Sequence, residues 1–162
     1  MALTMLGITA CVDSFTSLTP TSDLPNQASR VLNDTLFISQ EALAISIFAT
    51  AGEPSQGTRS TTRSITVRSW LYLNADLQLH LGGIRVVDSL GKIYRFQEIF
   101  LNNVIMDSDI ITLSKGHDQQ LKCYVATRDD AITLPLTLIL DSLRQMDTNT
   151  FLNLGRIRFS SH

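Results

Sequence analysis

Charge is scarce in this sequence: 17% of its 162 residues are Asp, Glu, Lys or Arg, against ~25% in a typical soluble domain. A surface so poor in charge is weakly solvated, and part of it is expected to be covered by something other than water. Lysine is scarcer still, since the 13 basic residues comprise only Lys92, Lys115 and Lys122 beside ten arginines. Protein interfaces share that bias, because guanidinium is weakly hydrated and forks onto carboxylates, whereas ammonium holds its water. The net charge of −2 provides no overall field to draw in nucleic acid or an anionic membrane. Any such contact would have to be a local patch. The two cysteines, Cys11 and Cys123, lie in unrelated segments. They read as two buried thiols of an intracellular chain, with a single bridge as the alternative.

Long apolar runs are missing too. Nothing approaches the ~18 residues of a membrane-spanning helix. The apolar start, Met1 to Val12, has no preceding Lys or Arg and is interrupted by Thr4, Gly7 and Thr9. It reads as an uncleaved terminus and not as a secretory signal. The expected location is accordingly a virion or host cytoplasm.

Patterns that carry catalysis are absent. Nucleophile, base and orienting group must converge, and that leaves recognisable spacings. There is no G-x-S-x-G, no phosphate-binding G-x-x-x-x-G-K, and no G-x-G-x-x-G. His80, His117 and His162 fall on a predicted strand, in a turn and at the terminus, none beside a second metal ligand at useful spacing. Asp107 with Asp109, and Asp129 with Asp130, fall in predicted turns, where Asp caps backbone amides. No enzymatic activity, catalytic residue, cofactor or metal is therefore expected.

What is present is strand patterning. Residues 13 to 34 hold Pro20, Pro25 and many hydroxyls, and read as an extended arm with a short helical turn near Gln27 to Leu32. Residues 35 to 51 alternate like strands, with an amphipathic helix as the alternative. Residues 52 to 64 form a long exposed loop of Gly, Pro, Ser, Thr and Arg. Ile65, Val67, Leu71 and Leu73 then share one side of a strand, with Thr66, Arg68, Trp70 and Tyr72 on the other. Two hairpins are expected, around Asp88 to Lys92 and around Lys115 to Asp118. Pro135 marks a sheet edge or a bulge. Asp141 to Asp147 reads as a second helical turn, and Phe151 to Phe159 as a closing strand.

The fold expected is mainly β: eight to ten strands in an antiparallel sandwich or rolled sheet, a jelly roll among the options, with one or two short helices. An extended N-terminal arm would occupy residues 1–34, and the β domain 35–162. The function expected is a self-assembling, non-enzymatic structural subunit, similar in kind to viral capsid, matrix or phage-particle proteins, though no motif carries that likeness. A strongly basic arm is missing, so such a subunit would not be the principal neutraliser of a packaged genome. Its partners would be copies of itself and other proteins of an assembly. The expected interface residues are Leu3, Leu6 and Ile8 on the arm, Trp70 and Tyr72, and Phe151, Leu154 and Phe159 at the other end. Two alternatives stand beside this reading. One is a β domain enclosing a small ligand. The other is a matrix-like protein touching phosphates of membrane or nucleic acid through Arg59, Arg63 and Arg68. Phosphate contact is not favoured, because no aromatic residues interleave with those arginines along the sequence.

Overall fold

Side chains in an extended chain alternate between two faces, so segments with apolar residues at every second position can bury one face and wet the other. The computed structural model of the protein describes residues 15–24, 28–52, 61–128 and 130–161. Within them the chain forms β1 (Thr16–Ser22), β2 (Ser29–Leu32), β3 (Thr35–Ser39), β4 (Leu43–Ala51), β5 (Thr61–Thr62) and β6 (Ser64–Leu73). It continues as β7 (Leu77–His80), β8 (Ile84–Val87), β9 (Ile93–Arg95), β10 (Glu98–Leu101), β11 (Val104–Ile105) and β12 (Ile110–Leu113). The last third holds β13 (Asp118–Ala126), β14 (Ile132–Thr133), β15 (Leu136–Leu140), β16 (Leu143–Gln145), β17 (Thr150–Phe151) and β18 (Ile157–Ser160).

The molecule is mainly β, a curled antiparallel sheet. Its main sheet runs β11-β10-β13-β6-β4-β1-β18-β15-β8-β9, and the β2–β3 hairpin lies along β4. A smaller sheet runs β12-β7-β16-β17, and β5 pairs with β14. The joint is β1. Its first half, Thr16–Leu18, pairs with β4, while Thr19–Ser22 pairs with β18. One strand that serves two neighbours along its length lets the sheet curl over a single core. That core takes the odd-numbered residues of β4, β6 and β13, for example Ile47, Val67 and Cys123 from one side. Val86, Leu138 and Phe159 enter it from the other.

The structure corrects several expectations. The segment expected to run as an arm is, over Thr16–Ser22, a central strand of the main sheet. Leu18 and Pro20 are its buried positions, and two apolar residues among hydroxyls are too few to show a period. Neither helical turn forms: Ser29–Leu32 and Leu143–Gln145 are strands. The only helical element among the described residues is a 3₁₀ turn, Leu81–Gly83. A helical nucleus of a few residues is costly, whereas pairing with β7 sets buried Leu143 opposite Leu79 and gives the Arg144 guanidinium a 2.7 Å bond to Gln78 Oε1. The described residues form 18 strands, more than the eight to ten expected, and β5, β11, β14 and β17 among them are only two residues long.

The first expected hairpin forms, with β8 and β9 paired around Asp88 to Lys92. The second does not: β12 pairs with β7 in the small sheet, while β13 lies between β6 and β10 in the main one. Pro135 falls between β14 and β15, where no ladder needs its missing N–H.

Asp88 organises the first hairpin and is buried doing so. Its Oδ1 accepts the N–H groups of Leu90 at 3.0 Å and Lys92 at 2.9 Å, and its Oδ2 accepts the hydroxyl of buried Tyr94 at 3.1 Å. Asp88→Ala leaves these donors short of partners and is expected to cost about 1–3 kcal/mol in chemical denaturation. Burial, and then the bond to Asp88, raise the Tyr94 phenol above its ordinary pKa. A raised value means that the fold favours the neutral phenol. Its contribution is complete below the unfolded pKa of ~10 and is lost as pH rises through the higher folded value. Stability is thus expected to fall more steeply above pH ~10 in the wild type than in Tyr94→Phe. Equal slopes would show that Tyr94 is not the group being titrated.

Candidate functional site

Two surfaces stand out. The first is the outward face of β4, β6, β13 and β10, where the even-numbered residues point away from the core. Register places Phe48, Arg68, Lys122 and Phe100 directly opposite one another across the four strands. In the adjacent row Thr50, Thr66, Tyr124 and Glu98 align. Trp70 stands one pleat from Arg68, and its ring stacks on Phe48 with centroids 5.7 Å apart. The Arg68 guanidinium lies 5.7 Å from the centre of the Phe48 ring, and the Lys122 ammonium 5.3 Å from that of Phe100. At the β2–β3 margin Arg30 sits 5.4 Å over Phe37.

Such pairs arise because an exposed sheet face brings side chains of neighbouring strands within ~5 Å of one another. A cation there is attracted to the negative face of the ring. A groove of about 740 Å³ opens on this face, with Arg63, Arg68, Lys122, Tyr124 and the hydroxyls of Thr50 and Ser64 along it. Glu98 is the one carboxylate among its described lining residues. The two ion pairs among the described residues, Arg85 with Asp141 and Lys92 with Asp130, lie elsewhere.

The second surface is the set of sheet ends. Each of the five terminal strands of the two larger sheets, β2, β9, β11, β12 and β17, carries a large apolar side chain in water. These are Val31, Leu32, Ile93, Val104, Ile105, Ile110 and Phe151, between 44% and 64% exposed. A terminal strand presents unpaired backbone donors and acceptors, and monomeric proteins blunt it by keeping it very short or with charged side chains, lysine above all, proline or a covering segment. None of these five strands contains a lysine or a proline.

Of the expected interface residues, Phe151 and Tyr72 are exposed and Trp70 is half-buried. Leu154 and Phe159 are a correction: both belong to this chain's own core, with at most 2% of their surface exposed. They close the sheet on itself and have no surface left to offer a neighbour. Leu3, Leu6, Ile8 and Arg59 lie outside the described residues. Arg63 and Arg68 are exposed and share one groove. Aromatics that do not interleave with these arginines along the sequence meet one of them across the sheet, where Phe48 stands opposite Arg68 with Trp70 stacked on it, and Tyr124 lines the groove that Arg63 and Arg68 share. Lys122, Phe48, Phe100 and Tyr124 escaped the sequence reading. Period-2 alternation marks each as outward on its own strand but says nothing about which strands are neighbours.

Cys123 is a free, buried thiol, and burial pushes it up to about 12. It stays protonated and is not a nucleophile at neutral pH. Among the described residues no three His, Cys, Asp or Glu side chains gather to hold a metal ion, and no helix is long and apolar enough to cross a membrane. Comparison with protein-family models, curated proteins and solved structures found no match.

Proposed function

We propose that the chain is a non-enzymatic structural subunit that assembles with copies of itself, in the manner of a capsid, matrix or phage-particle component, its curled sheet forming a jelly-roll-like sandwich. The observation that carries this reading is the set of exposed apolar side chains on all five terminal strands of the larger sheets. One such edge would suit a dimer. Five edges can engage more than one neighbour, and a second copy brings the same unpaired donors and acceptors with the same apolar residues. The shortage of charge and of lysine agrees with surface that is covered in use.

Sedimentation velocity over a range of concentrations tests the proposal on the intact chain. Species well above 18.0 kDa are expected, growing with concentration. A protein that stays a monomer at the highest concentration it can reach would refute it.

A further inference from the structure

The face of β4, β6, β13 and β10 is not a sheet end, and its chemistry is of another kind. We propose that it binds single-stranded nucleic acid, whose bases stack on the exposed parts of Phe48, Trp70, Tyr124 and Phe100 while Arg63, Arg68 and Lys122 hold phosphates. Arg30, over Phe37 at the margin, extends the cationic track.

Charge and shape both favour this occupant. Arg30, Arg63, Arg68 and Lys122 make no ion pair among the described residues, and the groove that Arg63, Arg68 and Lys122 border has one acid, Glu98, among its described lining residues. Along the groove three cations stand against one carboxylate among the described residues, with Asp118 further along the same face opposite Tyr72, which makes a locally positive surface on a chain whose net charge is −2. Each of Arg30, Arg68 and Lys122 stands within 5.3 to 5.7 Å of a ring centre. A nucleotide whose phosphate is held by one of these cations has its base within reach of the ring faces and edges that stay free on this surface, Tyr124 and the outer side of Trp70 among them. Proteins that bind single strands combine these two elements, a cationic track and aromatic platforms, with little demand on sequence. The hydroxyls of Thr50 and Ser64 add neutral donors of the kind that commonly meet phosphate oxygens. A duplex keeps its bases stacked inside and would leave the rings idle. A lipid headgroup would use the cations alone.

Trp70, the chain's single tryptophan, sits within the proposed site and reports on it. Titrating the intact protein with a short oligouridylate, and with its deoxy counterpart, is expected to quench Trp70 fluorescence. The affinity should fall with sodium chloride along a logarithmic slope of about −3, from ~0.7 per phosphate for four neutralised phosphates. Replacing Arg68→Gln together with Lys122→Gln should weaken binding about tenfold or more and make the slope shallower by about 1.4. The control Arg95→Gln, an exposed cation on β9, should change neither, and matched thermal midpoints would show that the variants fold. Absence of quenching at low salt overturns the proposal. So does an unchanged affinity in the folded double variant, or binding to phosphatidylserine vesicles with none to the oligonucleotides. Should the double variant fail to fold, a wild-type slope near zero overturns it equally. The readout is independent of the oligomeric state, so loss of the assembly reading would leave this one standing.

Discussion

Phe159→Ala is expected to lower the free energy of unfolding by about 3–5 kcal/mol, the usual cost of emptying a fully buried phenyl site. The ring is wholly inaccessible to water, and in β18 it lies opposite Pro20 of β1 on one side and Leu136 of β15 on the other. Those strands belong to the two halves of the main sheet, so the cavity would open where the sheet curls. Neighbours held in ladders on both sides cannot collapse into it. For a chain of this size each kcal/mol moves the midpoint by ~2–4 °C, so thermal unfolding should occur about 6–20 °C lower. A shift of a degree or less would mean that the ring is not seated in the core.

The second large effect concerns association. A variant carrying Val104→Lys, Ile105→Lys and Phe151→Lys places ammonium groups on two of the five apolar terminal strands, β11 and β17. Pairing another strand there would then require burying charge without a partner, which costs several kcal/mol per site. Sedimentation is expected to show a shift from larger species toward the 18.0 kDa chain. Unfolding should be nearly unchanged, because exposed substitutions away from special contacts usually fall within about 0.5 kcal/mol. Assembly that persists undiminished would place the contacts elsewhere. The two variants thus separate the core from the edges: one loosens the fold and the other leaves it intact but weaker in association.

Phe151 and Phe159 show how far apolar patterning can be read. Both stand in a C-terminal stretch of alternating apolar residues, and both were expected to meet a partner. Alternation identifies a residue that needs cover but not what covers it. Phe159 finds cover between β1 and β15, whereas Phe151 on the terminal β17 stays exposed among the described residues. The Asp88 hairpin was legible because its turn and both strands are local. Lys115 to Asp118 offered the same local signals, yet the strands on either side join different sheets.

The candidate face was legible only in fragments. Arg68, Trp70 and Tyr72 show in sequence that they share one side of a strand. That Phe48 and Lys122 stand beside Arg68 follows from β4 and β13 flanking β6, a pairing that no nearby residue encodes. No aromatic residue lies among Arg59, Arg63 and Arg68 along the chain, and Arg68 has Phe48 opposite it across the sheet.

Composition and two-residue periodicity were enough to establish a β protein, most of its strands, the inward side of each and the missing charge. These depend on local geometry: backbone extension alternates side chains, and apolar ones leave water wherever they lie. The joint at β1, the burial of Leu154 and Phe159, the bare apolar ends and the rows of cations and rings all depend on which strands become neighbours. Strand pairing is set by the fit of the whole core, with contacts between residues far apart in the chain, and no local window contains it.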